Sequence, residues 1–392
     1  MPTRTLPCLL AMALCLPTPA RAFAQLPQRG DQASHVVSAA QLDQLLTPPK
    51  CLEGYRTNQT GPLSRLDKKP GEPDDSTFTV EKVSVPSDGL LIRGWLYLPR
   101  NAGTQKFPLI VLTNGGGDGS LQIKSLSDWI APILSHCGIA AFVHDKRGTG
   151  ESEGTFAETT YDDYVTDAGN SAVFLSRHKN IDRRQIGVLG GSEGGRIAVL
   201  TASRFAVVTF VVSFAGTVVS MEDDRIYAQM GGLRTRGVPD SVIAAVEPLW
   251  RRSFAAWASK SPAAHDRVDA EISSARTKFD ASLLPAPKAV MESSPDFRAV
   301  LPTWNSMPND YLSEMKHFTK PWLAIFGEID TVVPTSQSVR NIQSLMAVSG
   351  NTDYAIVVLP RVGHAPVDVE TKRMVRIDNV VLNWLDAHLI RR

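Results

Sequence analysis

Cysteine is scarce in this sequence, 4 among 392 residues. That excludes a small domain stapled by a dense set of disulfides. An excess of one charge sign is also missing: 41 Lys and Arg stand against 40 Asp and Glu. No basic stripe forms, so a nucleic-acid partner is not expected. Past the N-terminus, no run reaches the roughly 20 apolar residues that span a bilayer. No spacing repeats along the chain, which argues against solenoids and propellers. No Gly-Lys-Ser/Thr follows a glycine-rich loop, so the phosphate-binding loop of nucleotide enzymes is absent. What remains is ordinary: 43% hydrophobic and 21% charged residues, the balance of a globular protein with a sizeable core.

What is present begins at the first residues. Arg4 precedes an apolar stretch from Leu6 to Leu16, then Pro17 and Pro19, then Ala20-Arg21-Ala22 and Ala22-Phe23-Ala24. A short positive region, a short apolar run and small residues at a cleavage site describe a secretory signal peptide. Residues 1–24 are therefore expected to be removed, leaving an exported protein, periplasmic or extracellular, with no stable membrane insertion. Cys8 and Cys15 leave with that segment. Cys51 and Cys137 then either pair, as an oxidising compartment allows, or stay as buried free thiols. Residues 25–75 are polar and rich in Pro and Gly, with one amphipathic piece around Val36 to Leu46. They read as an extension on the main domain.

From Phe78 the pattern changes. Phe78 to Val85 alternates, and Leu90 to Leu98 follows the Ser87-Asp88-Gly89 turn, which together predict a hairpin. Short continuous apolar runs come next: Leu109 to Thr113, Ala140 to Val143, Ile186 to Leu189, Val207 to Phe214, Trp322 to Phe326 and Tyr354 to Leu359. Runs without alternation suit strands buried on both faces, as in a parallel sheet covered by helices. Helix-length amphipathic stretches, such as Tyr161 to Arg177 and Gln337 to Val348, separate most of them, which predicts an α/β fold. Residues 76–219 and 319–392 form the two parts of that core. Residues 220–318 contain no convincing strand and read as an inserted helical cap, with Trp250, Phe254 and Trp257 on one helical face. That face is expected either to pack the cap or to line an acyl pocket. Met374 to Ile390 reads as a closing helix.

Gly190-Gly191-Ser192-Glu193-Gly194 lies between the run Ile186 to Leu189 and a helical stretch from Arg196. A serine on a sharp strand-to-helix turn is lifted above the sheet, and the new helix favours developing negative charge there. A serine hydroxyl needs a base to take its proton. Of the eight histidines, His364 follows the last apolar strand, at the sheet edge where catalytic groups of open α/β sheets collect. The acid that orients an imidazole should follow the preceding strand, where Glu328 and Asp330 are both candidates. The oxyanion needs two donors: the Glu193 N–H, and one from the loop Thr113-Asn114-Gly115-Gly116-Gly117-Asp118-Gly119, with Gly116 favoured and Gly117 next.

Four motifs carry a resemblance over residues 78–219 and 319–392. They are Asn114-Gly115-Gly116-Gly117; Asp145-Lys146-Arg147-Gly148-Thr149-Gly150-Glu151-Ser152; Gly190 to Gly195; and Gly327-Glu328-Ile329-Asp330 with Gly363-His364. In these the chain resembles the α/β-hydrolase superfamily, in its esterase and serine-aminopeptidase-like branches. The resemblance implies an eight-stranded, mostly parallel sheet flanked by helices; the inserted helical cap and the N-terminal extension fall outside it. It implies Asp330 rather than Glu328 as the acid, and a structural loop at Asp145 to Ser152. The chain departs at Asn114, where many members carry His.

The expected activity is carboxylic ester hydrolysis on a small molecule, with Ser192 as nucleophile, His364 as base and Asp330 as acid, and no metal or cofactor. A peptidase or aminopeptidase of the same fold is the alternative, and Glu222, Asp223 and Asp224 could then hold a peptide amine. A non-catalytic binding protein on the same scaffold is a third reading.

Overall fold

The computed structural model describes residues 35–53, 77–100, 103–117, 129–293, 301–307 and 309–389. The expected signal peptide and most of the 25–75 extension lie outside the described residues, as do Asp118 and Gly119.

Strands β1 (Phe78–Ser87) and β2 (Leu90–Pro99) form the hairpin that the Asp88-Gly89 turn predicts. Both turn residues have positive φ, 49° and 79°, which matches the twist of the strands they join. The sheet continues with β3 (Phe107–Thr113), β4 (Ala140–His144), β5 (Ile181–Gly191), β6 (Phe210–Phe214), β7 (Trp322–Gly327) and β8 (Tyr354–Leu359). Its order is β1-β2-β4-β3-β5-β6-β7-β8. β1 and β2 run antiparallel, and all pairs from β4 to β8 are parallel.

Along β3, Leu109 and Val111 join one core while Ile110 and Leu112 join the other. Successive side chains point to opposite faces, so a strand covered on both sides is apolar throughout. β5 starts at Ile181, ahead of its apolar run, because Ile181 pairs with Phe107 before the register shifts toward Leu109. Conversely, the apolar run at Val207 begins before its strand does, since the Val208 N–H still closes a turn onto the Phe205 carbonyl.

Among the described helices, α1 (Ala39–Leu46), α2 (Ile130–His136), α3 (Tyr161–Leu175) and α4 (Glu193–Arg204) come first in the chain. Between β6 and β7, in the segment read from the sequence as a cap and called so below, lie α5 (Met221–Thr235), α6 (Asp240–Ser259), α7 (Pro262–Ala275), α8 (Lys288–Ser293), α9 (Leu301–Ser306) and α10 (Tyr311–Glu314). Then α11 (Thr335–Ser349) and α12 (Ile377–His388) complete the core.

The amphipathic piece of the extension is α1, capped by Ser38 and Gln41 in a capping box. Asn379 and Asn383 of α12 donate to the carbonyls of Leu46, Leu45 and Thr47 at its end. Cys51, just beyond, forms a disulfide with Cys137 at the end of α2.

The aromatic face of α6 packs the cap. Phe254 is 1% exposed and lies 5.0 Å from the Trp304 ring. Trp257 meets Trp304 at 5.3 Å and His265 at 5.0 Å, and the Trp250 indole donates to the Leu283 carbonyl. The rings are taken up by one another and by neighbouring cap residues, which is the packing reading of that face.

Candidate active site

The sequence forces two close approaches at the C-terminal edge of the sheet. At the first, β5 turns into α4 at Ser192, whose φ of 56° and ψ of −123° are strained for a residue with a side chain. A Cβ at Gly194 would stand 2.3 Å from the Thr113 carbonyl oxygen, so only glycine lets the turn sit against the end of β3. The Ser192 N–H donates to the Phe214 carbonyl on β6 at 2.8 Å, which fixes the turn from its other side.

At the second, β7 and β8 deliver their loops side by side. A Cβ at Gly327 would meet the Gly363 and Val362 carbonyl oxygens at 2.2 and 2.4 Å. The Ile329 N–H donates to the Val362 carbonyl at 3.0 Å. This pairing sets Asp330 beside His364.

The structure brings Ser192, His364 and Asp330 into one chain of contacts. His364 Nε2 is 3.0 Å from Ser192 Oγ, and Nδ1 is 2.9 Å from Asp330 Oδ2. The other carboxylate oxygen of Asp330 accepts the Val332 and Val333 N–H groups at 2.7 and 2.9 Å. With its side chain fully buried and both oxygens bonded, this carboxylate is fixed in place. Glu328 faces elsewhere: its carboxylate accepts the Arg361 N–H at 3.0 Å. Tyr227 of the cap donates its hydroxyl to the Asp330 carbonyl at 2.8 Å, so α5 crosses the Asp330 loop.

Glu193 heads α4, where the first N–H groups of a helix lack helical acceptors. Its carboxylate forms a buried ion pair with Lys146 at 2.6 Å, the two side chains 8% and 3% exposed. Lys146 Nζ also donates to the carbonyls of Gly115 and, at 3.1 Å, Gly117. It sits over the Tyr164 ring as well. From the cap, Thr303 donates its hydroxyl to the other Glu193 oxygen at 3.1 Å, and the Tyr161 hydroxyl is 3.1 Å from that of Thr303. Burial, with the nearby charge of Glu193 adding to it, pushes the Tyr161 phenol well above its usual range, so it remains a neutral hydroxyl.

Asn114 anchors the same glycine loop by donating to the His144 carbonyl at 2.8 Å. His144 is buried, and burial lowers its pKa. Asp145 accepts the Glu151 N–H, outside the Ser192–His364–Asp330 contacts. The sequence alone does not single out Lys146, which lies in the segment that the resemblance makes a structural loop. The available signal is position: a lysine just past β4 stands at the same sheet edge as Ser192.

The carboxylates that could hold an amine all contact an arginine, with Arg251 shared between two of them and Glu247. Arg251 reaches Asp223 at 3.1 Å and Glu222 at 3.4 Å, while Asp224 pairs with Arg225 at 2.8 Å and Arg196 at 3.8 Å. Among the described residues no cluster of His, Cys, Asp or Glu could hold a metal ion.

Comparison with known proteins agrees with this architecture. The family described as serine aminopeptidase, S33, matches residues 105–371. A polyketide transferase of Penicillium crustosum is 32% identical over 149 residues, 38% of this chain and 47% of that protein. An uncharacterised protein of Pseudomonas aeruginosa is 32% identical over 112 residues, 28% and 29% of the two chains. The chain thus spans less than half the length of these curated relatives. Among solved structures, a hypothetical protein from Pseudomonas aeruginosa aligns with a TM-score of 0.51 at 20% identity, over 82% of this chain and 97% of that one. A Pyrococcus furiosus esterase aligns with a TM-score of 0.50 at 16% identity, over 82% and 95%. At such identities the likeness is one of fold, the α/β-hydrolase fold.

Proposed function

The chain belongs to the serine aminopeptidase S33 family of α/β-hydrolases, and we propose that it is an exported carboxylic ester hydrolase working through an acyl-enzyme on Ser192. The observation that carries this reading is the unbroken contact from Ser192 Oγ through the His364 imidazole to Asp330, at 3.0 and 2.9 Å.

With Nδ1 protonated and bonded to Asp330, His364 Nε2 is the atom that accepts the Ser192 proton. Oγ attacks the ester carbonyl carbon, and the carbonyl oxygen becomes an oxyanion received by the N–H groups of Glu193 and Gly116. Collapse breaks the ester C–O bond, and the proton on Nε2 goes to the departing alcohol. A water then loses a proton to Nε2, attacks the acyl carbon and releases the acid, returning the proton to Oγ. Asp330 stabilises the imidazolium at both stages without being protonated.

The amide-hydrolysing alternative needs an anchor for a substrate amine. All three candidate carboxylates already contact an arginine, Glu222 and Asp223 sharing Arg251 with Glu247, which supports the ester reading. Export is supported by the N-terminal sequence and by the Cys51–Cys137 disulfide, a bond that reducing compartments disfavour.

The test is a rate comparison on p-nitrophenyl esters and aminoacyl p-nitroanilides, with wild type and Ser192→Ala. We expect ester turnover to exceed amide turnover and to fall by several orders of magnitude in the variant. Faster amide cleavage would select the peptidase reading. A folded protein that a fluorophosphonate does not label would select the non-catalytic one.

A further inference from the structure

Lys146 contacts both segments expected to supply the oxyanion donors. A lysine ammonium has three N–H groups, and here three acceptors meet it: the Gly115 carbonyl, the Gly117 carbonyl and the Glu193 carboxylate. The two carbonyls belong to the loop after β3, and the carboxylate belongs to the residue following the nucleophile. With the side chain 3% exposed, the charge is withdrawn from water. A buried charge of this kind is stable only when paired and fully hydrogen-bonded.

The geometry has a specific consequence at Gly116. The Gly115 carbonyl and the Gly116 N–H are opposite ends of one peptide unit, and no described peptide bond is cis. In a planar trans peptide the C=O and N–H point in opposite directions. Fixing the carbonyl on Lys146 therefore fixes the direction of the Gly116 N–H. A cation on that carbonyl also polarises the amide, since hydrogen bonds in a chain strengthen one another in a low-dielectric interior. At its other end the ammonium ties down Glu193, whose backbone N–H is the second donor. Thr303 joins this unit to the cap through the remaining Glu193 oxygen.

We propose that Lys146 is a positioning residue that sets the geometry of the oxyanion hole by holding the Gly115–Gly117 loop and Glu193 at a fixed separation. This rests on the serine-hydrolase reading. The ammonium touches neither substrate nor the reacting atoms. Its contribution should appear when the oxyanion forms, in kcat, and not in ground-state binding.

The experiment compares wild type, Lys146→Met and the double variant Lys146→Met/Glu193→Gln on a p-nitrophenyl ester. Active sites are counted by the end point of fluorophosphonate labelling, so that kcat is expressed per reactive serine. A misfolded fraction then lowers the number of sites and leaves kcat per site alone. Deleting one oxyanion donor outright costs about 10²- to 10³-fold. Misorienting donors should cost about 10- to 100-fold in kcat per site, with KM changed less than threefold. The double variant removes the uncompensated carboxylate, so its melting temperature should recover while its kcat per site does not. If kcat recovers together with melting temperature, the pair is merely structural and the proposal fails. A rise in KM at unchanged kcat overturns it equally. Wild type that is folded yet unlabelled by the probe would instead sink the serine-hydrolase reading beneath it.

Discussion

Gly327 and Gly363 meet backbone to backbone: a Cβ added to Gly327 would lie 2.2 Å from the Gly363 carbonyl oxygen. This contact fixes the spacing between the loop carrying Asp330 and the loop carrying His364. Gly327→Ala should push them apart while leaving both side chains in the protein. A misplacement of about 1 Å in a catalytic constellation costs about 10²-fold. We expect kcat to fall by about that factor, with KM little changed. Steady-state kinetics at wild-type activity would show that the β7–β8 contact has slack.

Asp330 and Glu328 are two residues apart and have different partners. Asp330→Asn keeps the shape but cannot hold the imidazole in the required tautomer, with an expected loss of about 10⁴-fold in kcat by analogy with other triads. Glu328→Gln loses only charge at a bond to the Arg361 N–H, and its activity should stay within a few-fold. Parallel measurement of both variants on one ester decides the assignment, since the larger loss must follow Asp330.

The sequence made some of this legible and hid the rest for physical reasons. Ser192 stands out because its glycine-flanked turn follows an apolar run and opens a helix, and His364 because it follows the last apolar strand. Choosing Asp330 over Glu328 needed the family resemblance, because both follow β7 and only side-chain direction separates them. The contacts of Lys146 stay hidden because they join it to Gly115, Gly117 and Glu193, which are distant in sequence. Helical spacing correctly grouped Trp250, Phe254 and Trp257 on one side of α6. Periodicity reports which residues share a face and is silent on what covers it, and Trp304 and His265 cover much of this one.

That packing leads to a prediction for the cap. Phe254 is 1% exposed and packs on Trp250 and Trp304. Truncating a buried phenylalanine to alanine costs about 3–5 kcal/mol, so Phe254→Ala should lower the melting temperature clearly. The relative kcat/KM across C2 to C12 esters should keep its shape. A changed chain-length preference at unchanged stability would return this face to the role of a pocket wall.

The loop that carries His364 is also held by a carboxylate, which makes its stability depend on pH. Asp368 Oδ1 accepts the Glu370 and Thr371 N–H groups at 2.9 and 2.8 Å, and Oδ2 accepts Arg361 Nε and Nη2 at 3.0 and 2.8 Å. The Thr371 N–H bond is the largest influence and Arg361 adds to it, together holding this carboxyl down at about 2, against an ordinary 3.8. Because the folded state binds this proton less readily than the unfolded state, stability rises with pH through this window. The contribution is complete above the unfolded value and is lost as pH falls toward about 2. In Asp368→Asn the group cannot titrate. Wild type should therefore melt higher than the variant at pH 5, and the gap should narrow through pH 4 and 3 and close near pH 2. Thermal melts at those four pH values measure it. A gap that stays constant down to pH 2 would mean that the Asp368 charge does not hold the histidine loop.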